Sequence, residues 1–443
     1  MDDSRSNVDE LSRTAGRRTA SMAFTLGLVV ITTVLMLEGV FRVAEHVPRI
    51  KAAMRPVARR HLLDEQTKRL RYLMSDSADQ NILRLDPELG WRYAPGRSND
   101  TVTVRLDGQR GNGNSFEPEP EGQVVVAAWG DSFIFCNEVR DEACWLARWQ
   151  ARNASLLVRN FGVGGYGNDQ ALLRFRRTVD SFPPDIAILG FTEDDLRRLV
   201  NVYRRFVDAE EAPLFKPRFR LTRGVLDLEQ NPARDPAFLR TVIANPLAVQ
   251  AAGAGDPHYN AWQFGSSLTD YSAMMRAMAA IAHWLRLRYL DPDRIWDSRS
   301  MVRPQSSAFK VQLAIFERFA AEATAKGGIP LILLLPSRTS VEAAASGRPS
   351  PVQPLIDSMT ARGLPFRDVT SALAADARTS GVAGLFAPGG HYSARGNDIV
   401  SSHMDSLYRA GALPVPRAAS RSRGRDGGRA GRPSQGERLR GGA

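Results

Sequence analysis

The residues most capable of chemistry begin with a serine at the end of an apolar run. The segment Val124–Phe133 reads VVVAAWGDSF, so small and branched apolar residues lead directly into a Gly-Asp-Ser turn. An unbroken apolar run is typical of a parallel strand buried on both faces, and open α/β sheets bind ligands at the carboxyl ends of such strands. Ser132 is therefore a candidate nucleophile. The alternative is that Ser132 merely caps the helix that follows.

A serine nucleophile needs a general base, and the chain contains six histidines. His391 lies in the Gly-rich segment FAPGGHYSARGN, after the last predicted strand and directly before the last predicted helix. This order places it at the same edge of the sheet as Ser132, so we predict that His391 is the base. His258, within an inserted region, is the alternative.

The segments that position these residues alternate between strand and helix patterns. Buried strands are predicted at Val124–Trp129, Leu156–Phe161, Asp185–Leu189, Pro330–Leu335 and Pro365–Val369. Helical patterns lie between them, and a helix from about residue 393 to 410 closes the series. This rhythm predicts an α/β fold, a three-layer α/β/α sandwich with a five-stranded parallel sheet of flavodoxin-like type.

Residues 207–305 interrupt the rhythm. They begin with a hairpin-like pattern and continue into a predicted helix at Leu268–Leu290, whose apolar face includes Ala273, Ala277, Ile281 and Trp284. An insertion of this size usually shapes a substrate pocket or lid.

The N-terminal region contains a long apolar stretch. No charged residue occurs between Thr19 and Leu37, so we predict a transmembrane helix at 19–41 after a cytoplasmic segment at 1–18. A cleaved signal peptide is the alternative, but the apolar core is longer than usual and lacks a small-residue cleavage site. Residues 42–85 form a basic juxtamembrane stalk, either an amphipathic helix on anionic headgroups or a solvated helix. More basic residues follow the span than precede it, so the count alone favours a cytoplasmic C-terminal side.

The charge of the chain is concentrated at its C-terminus. The formal net charge is +11, and the last 27 residues contain eight arginines against one aspartate and one glutamate. The Arg/Gly-rich segment 412–443 is expected to be disordered. Because no zinc spacing or aromatic-rich basic patch accompanies these charges, no nucleic-acid partner is predicted. No cofactor or metal is predicted either. Cys136 and Cys144 either pair in an oxidising compartment or remain separate buried thiols.

Four blocks resemble a known superfamily when taken in order. They are GDSF (130–133), NFGVGGYG (160–167), LGFTEDDLRRLVN (189–201) and GGHYSARG (389–396). Together they resemble the SGNH/GDSL hydrolases, and the DPELGWR segment before them is similar to membrane-anchored bacterial members. The resemblance covers about residues 86–206 and 307–411, within a hydrolase-like domain at 86–411.

The resemblance implies a role for each matching residue. Ser132 would be the nucleophile and its own N–H an oxyanion donor, Gly165 would supply a second donor, and His391 would be the base. Asp131 would be a structural carboxylate. Asp194 occupies the position at which the family usually has an Asn donor, and an ionised carboxylate only accepts hydrogen bonds.

A second departure concerns the base. The family usually has an Asp two or three residues before its His, where this chain has Pro388 and Gly389. His391 would then take its orientation from a backbone carbonyl or a distant acid, with Asp368 a weak candidate. The sequence therefore predicts a Ser–His dyad.

These observations predict a single-pass inner-membrane protein whose domain faces the periplasm and acts on an acyl ester of a glycan or lipid, as an esterase or O-acyltransferase. Orientation follows from the resemblance. The alternative is a catalytically degenerate protein of the same fold that acts as a binding or scaffold module in envelope polysaccharide metabolism.

Overall fold

The computed structural model describes residues 3–50, 59–75, 82–111, 122–208 and 211–413, with side chains from Arg17 onward. Residues 414–443 of the predicted tail and parts of the juxtamembrane stalk lie outside these residues. Leu413, which the prediction included in the disordered tail, is buried. The strands are β1 Leu83–Asp86, β2 Gly90–Tyr93, β3 Val124–Trp129, β4 Leu156–Asn160, β5 Ile186–Phe191, β6 Arg218–Thr222, β7 Val225–Glu229, β8 Ile329–Leu334 and β9 Phe366–Asp368.

The helices fall between these strands and before them. They are α1 Asp3–Ala44, α2 Arg59–Leu73, α3 Ser132–Phe135, α4 Trp145–Arg152, α5 Asn168–Thr178, α6 Asp195–Leu199, α7 Arg204–Val207, α8 Pro236–Ala244, α9 Ala261–Phe264, α10 Leu268–Tyr271, α11 Ala273–Leu285, α12 Ser307–Ala325, α13 Arg338–Ala345, α14 Gln353–Ala361, α15 Thr370–Ser380 and α16 Ala394–Arg409. Short 3₁₀ turns occur at Asp141–Ala143, Pro246–Gly253 and Ala383–Leu385, and a π-helical turn at Arg286–Leu290.

The central sheet contains five parallel strands in the order β4-β3-β5-β8-β9. Strand β3 lies beside β4 and β5, and its apolar residues are buried because helices cover both faces of the sheet. The prediction of a three-layer α/β/α sandwich with a five-stranded parallel sheet is confirmed.

The two faces of the sheet bury separate cores. Ala127 and Trp129 point to one side, where they pack with residues of α5, α12 and α14. Val126 and Ala128 point to the other side, toward α4, α13, α15 and α16. This alternation follows from the two-residue period of a strand, and it holds the carboxyl end of β3 rigidly between two layers.

The segment that precedes the sheet begins with a hairpin. Its two strands, β1 and β2, pair antiparallel at 83–86 and 90–93. Residues 101–106, which follow the hairpin, form isolated bridges, such as that between Val104 and Arg110. Arg177 of α5 binds the buried Asp86 carboxylate at 2.7 Å, which fastens the hairpin to the outer layer.

The inserted region contains the antiparallel hairpin β6–β7 and several short helices. The prediction of a single helix at Leu268–Leu290 is wrong. The chain is extended at Ser272, whose hydroxyl accepts a hydrogen bond from the N–H of Met275 and so begins a new helix, α11. Ala273 and Ala277 of the predicted apolar face are buried, whereas Ile281 and Trp284 are exposed.

A buried lysine joins the insertion to the sheet. Lys216 forms an ion pair with Asp169 at the start of α5, and both side chains are fully buried. Its ammonium group also donates to the carbonyls of Arg198, at 2.9 Å, and Asn201, at 3.2 Å. The insertion therefore fixes the loops after β4 and β5 relative to each other.

Candidate active site

Ser132 lies where the sequence places it, at the carboxyl end of β3. Gly130 permits this turn because a Cβ there would lie 2.6 Å from Ile134 and 3.4 Å from the Cα of Gly190. Asp131, rather than Ser132, caps α3 by accepting a hydrogen bond from the N–H of Phe133 at 2.8 Å. The interpretation of Ser132 as a helix cap is therefore wrong. Ser132 is buried, with 3% of its surface exposed.

The carboxylate of Asp131 has a structural role, as expected. Its second oxygen lies 2.9 Å from Nη1 of Arg198, and the same nitrogen lies 3.1 Å from Asp195. Burial and the neighbouring Asp131 raise the pKa of Asp195 well above its usual range. This network ties the loop after β3 to the loop after β5.

The turn that follows α3 is held in an unusual conformation. Cys136 and Glu138 both have positive φ angles, 59° and 67°, in the left-handed region that most side chains avoid. Cys136 forms a disulfide with Cys144, so the two thiols are paired rather than separate.

Arg110 clamps the same turn from the inside. Its guanidinium donates to the backbone carbonyls of Phe135, Cys136 and Val139, and Nε lies 2.8 Å from the Asp141 carboxylate. Only 2% of the Arg110 side chain is exposed. Four acceptors around one planar cation fix the path of the backbone on both sides of Glu138.

Glu138 reaches the candidate base. Nδ1 of His391 lies 2.6 Å from Oε2 of Glu138, and the other carboxylate oxygen accepts the N–H of Gly389 at 2.7 Å. His391 is therefore held by a distant acid, which is one of the two predicted alternatives, but this acid is Glu138 and not Asp368. Asp368 instead accepts a hydrogen bond from the N–H of Thr370 at 2.8 Å.

The glycine before His391 makes room for this carboxylate. A Cβ at Gly389 would lie 2.7 Å from the carboxyl atoms of Glu138. The space that an acidic side chain at position 389 would enter is therefore occupied by the Glu138 carboxylate, which comes from a different loop. Burial raises the pKa of Glu138, but the hydrogen bonds from His391 and Gly389 outweigh burial and hold this pKa below its usual range.

Aromatic contacts join the loops of Ser132 and His391. The ring of Phe133, next to Ser132, lies 5.5 Å from the imidazole of His391 and 4.9 Å from the ring of Tyr392. The hydroxyl of Tyr392 donates to the carbonyl of Pro336 at 2.9 Å, which anchors this loop to the end of β8.

Gly165 has a positive φ of 79° that favours glycine. Arg204 donates to the Gly165 carbonyl at 2.9 Å, so this peptide cannot turn over without losing a contact. The hairpin β1–β2 holds Gly164, the preceding residue. Trp91 donates to the carbonyl of Gly164 at 3.0 Å, and the hydroxyl of Tyr93 accepts the N–H of Gly164 at 3.2 Å. The structure thus gives the DPELGWRY segment a positioning role that its sequence pattern did not reveal.

Asp194 lies at the position for which the resemblance implies an Asn donor. Its carboxylate is half exposed and pairs with Arg197, and a second arginine, Arg198, lies 3.9 Å away. Burial raises its pKa, but these two arginines outweigh burial and leave the pKa below its usual range. The ionised Asp194 accepts hydrogen bonds and donates none.

His258 is a poor alternative to His391. It is buried, and burial together with the nearby Arg197 lowers its pKa to about 3. Its backbone N–H donates to Asp256 at 2.9 Å. Among the residues that the structure describes, no group of three or more His, Cys, Asp or Glu side chains has a metal-binding arrangement.

Sequence reasoning missed Glu138, Arg110 and Arg198. The absence of an acid at Pro388 and Gly389 was the one available signal, because it left a carboxylate from another loop as one of two ways to orient His391. Nothing in the local pattern identified Glu138 as that residue.

The strand order and the loops at the carboxyl edge define a three-layer α/β sandwich with a serine and a carboxylate-bound histidine. No protein-family model and no curated protein matches the chain. It is similar to a member of the lipolytic protein G-D-S-L family from Veillonella parvula, at 10% identity over 66% of this chain and 100% of that one, with a TM-score of 0.31.

Two further solved structures are similar at the same level. LAE5, an α/β hydrolase enzyme from the metagenome of Lake Arreo, is 11% identical over 66% of this chain and 96% of its own, with a TM-score of 0.34. The esterase EstA from Pseudoalteromonas is 8% identical over 65% and 99%, with a TM-score of 0.29.

The Glu138–His391 contact predicts a pH-dependent stability. Because the folded pKa of Glu138 is lowered, its contribution is present above the unfolded value of about 4.3 and is lost as the pH falls through the folded value. Glu138→Gln should lower the free energy of unfolding at neutral pH by on the order of 1 kcal/mol. Denaturant titration of the full chain in detergent should show this difference shrinking below about pH 4.

Glu142→Gln is the matched control, since Glu142 lies in the same loop and is exposed. This variant should stay close to wild type at both pH values. An effect of Glu138→Gln that is equal in acid and at neutral pH would contradict the assignment of an ionised Glu138.

Proposed function

We propose that this protein is a membrane-anchored serine esterase or O-acyltransferase of the SGNH type, acting on an acyl ester of a glycan or lipid. The observation that carries the proposal is the contact between the Glu138 carboxylate and Nδ1 of His391, in the turn that follows Ser132. A base whose Nδ1–H is held by a carboxylate presents its unprotonated Nε2 to a nucleophile. We therefore propose a Ser132–His391–Glu138 triad in place of the predicted dyad.

In this mechanism Oγ of Ser132 attacks the carbonyl carbon of the ester while Nε2 of His391 takes the hydroxyl proton. Glu138 stabilises the imidazolium that forms. Collapse of the tetrahedral intermediate breaks the ester bond, and His391 returns the proton to the departing alcohol. Attack by water on the acyl-serine gives hydrolysis, and attack by a second hydroxyl gives acyl transfer.

The developing oxyanion is stabilised by two backbone donors in this proposal. The N–H of Ser132 is the first amide of α3, and such first-turn amides have no carbonyl partner within the helix. The N–H of Gly165 is the second donor. Loss of one such donor typically costs about 2.7–4 kcal/mol of transition-state stabilisation, so two donors support substantial catalysis without an Asn at position 194.

A degenerate binding or scaffold module is the second candidate. The observation that favours it is Asp194, whose ionised carboxylate lies where the family usually has a donor. A negative charge close to the oxyanion would oppose catalysis, whereas the paired Arg197 reduces that effect. The two candidates differ in whether Ser132 reacts.

A fluorophosphonate probe tests the nucleophile directly, because it phosphonylates a serine only when a base activates it. The wild-type protein should be labelled and Ser132→Ala should not. Folding of both proteins is checked by circular dichroism. Wild-type protein that is folded and remains unlabelled would favour the binding or scaffold module.

Moving the acid from position 138 to position 389 gives a sharper test of the triad. Glu138→Ala should reduce turnover of a small acyl ester by up to about 10⁴-fold, as loss of the orienting acid does in a serine triad. Gly389→Asp alone should also reduce turnover, since its Cβ would collide with the Glu138 carboxylate. The double variant should be more active than Glu138→Ala, because removal of Glu138 leaves space for an acid at 389. Wild-type turnover in folded Glu138→Ala would exclude Glu138 from the triad.

We propose that α1 crosses the inner membrane once and that the domain faces the periplasm. Residues 17–44 of α1 are long and apolar enough to span a bilayer, and their most apolar window is unburied. A disulfide between Cys136 and Cys144 favours an oxidising compartment. Alkaline phosphatase fused after Ala410 should be active, and a reporter that folds only in the cytoplasm should stay dark. The reverse pattern would place the domain in the cytoplasm.

A further inference from the structure

The end of the apolar span is attached to the inserted region. The Glu38 carboxylate accepts hydrogen bonds from the Ser272 hydroxyl at 2.7 Å and from the N–H groups of Ala273 and Met274 at 2.9 and 3.1 Å. Seven residues later, directly after the end of α1, Glu45 binds Arg276 through two contacts of 2.7 and 2.8 Å. These contacts place the first turn of α11 at the point where the uncharged stretch ends.

Helix α11 does not have the surface of a solvated helix. Its exposed residues are Met278, Ile281, Ala282, Trp284 and Leu285. None of them is charged, although a helix that faces water normally carries charged side chains on its outer face. The opposite side, which includes Ala273 and Ala277, is buried against the protein.

The apolar surface continues beyond the helix. In the π-helical turn, half of the surface of Tyr289 and 73% of that of Leu290 are exposed. The rings of Trp284 and Tyr289 lie 5.6 Å apart, edge to face. Arg288 is turned back into the protein, where it donates to the carbonyls of Asp297 and Ser298.

We propose that this surface, α11 with the turn at Arg286–Leu290, lies in the interfacial layer of the same bilayer that α1 crosses. The inference rests on the proposed anchoring by α1. Continuity identifies the occupant, since Glu38 of the spanning helix and Glu45, directly after it, hold the start of α11 at the membrane boundary. The side chains agree, because Trp and Tyr prefer the headgroup region and an uncharged helical face enters the acyl boundary.

The consequence is a domain that is held against the membrane and cannot swing freely on its anchor. A single helix fixes only the distance between a domain and the bilayer. A second contact at α11 fixes its orientation as well. The proposed ester substrate would then reach the carboxyl edge of the sheet from a constant direction.

Site-specific fluorescence in vesicles tests this arrangement with the full-length protein. Because the only two cysteines of the chain are paired with each other, an introduced cysteine can be labelled selectively with an environment-sensitive dye. Labels are placed by Trp284→Cys, by Thr379→Cys on the exposed end of α15, and by Val30→Cys within α1. Spin-labelled phosphatidylcholine quenches dyes in the bilayer, and iodide quenches dyes in water.

The label at position 284 should have blue-shifted emission relative to that at 379, be quenched by the spin-labelled lipid and be protected from iodide. The label at 379 should show the reverse. Quenching by iodide at 284 to the same degree as at 379 would overturn the proposal. Protection at 284 from both quenchers would also overturn it and would indicate a second protein copy on this face. The label at position 30 shows whether α1 itself is in the bilayer. If α1 fails to anchor the protein, iodide will quench the label at position 30 as well as the label at position 284.

Discussion

The hydrogen bond between Glu138 and His391 is the constraint on which the candidate site depends, because it joins two loops that are 253 residues apart. To reach His391, Glu138 adopts a left-handed conformation that costs on the order of 1 kcal/mol or more for a non-glycine residue. The surroundings maintain that conformation. Arg110 binds the backbone carbonyls on both sides of Glu138, and the disulfide of Cys136 fixes the start of the turn. Gly389 leaves space for the Glu138 carboxylate.

The sheet and the positions of Ser132 and His391 in the fold were predictable for simple reasons. Strand β3 is an uninterrupted apolar run ending in a Gly-Asp-Ser turn, and chain order alone places His391 at the same edge of the sheet. Glu138 was not predictable from local pattern, since a glutamate in a polar turn has many ordinary explanations. Only the three-dimensional contact distinguishes it from its neighbour Glu142. The role of Asp194 was similarly open, because its ionisation depends on Arg197 and Arg198, whose positions a sequence does not give.

The region around α11 illustrates a different limit of sequence reasoning. Periodicity indicates that one face of a helix is apolar, but it does not distinguish a protein core from a bilayer as the apolar medium. Ala277 and Ile281 belonged to the same predicted face, yet the first is buried and the second is exposed. The break at Ser272 was also hidden, because the partner that satisfies the new helix start, Glu38, is 234 residues away.

The insertion holds the loops beside the proposed site in place. Its Lys216 carries a charge into the fully buried space between the loops after β4 and β5, and burying an ammonium group is costly unless its hydrogen bonds are satisfied. Asp169 and the carbonyls of Arg198 and Asn201 satisfy them, so these loops keep their relative positions only while the insertion is folded. Since the same insertion also carries α11, one segment links the attachment to α1 with the geometry around Gly165 and Asp194. A change at the proposed membrane contact that disturbed the insertion would therefore act first on the side of the proposed site that contains Gly165 and Asp194.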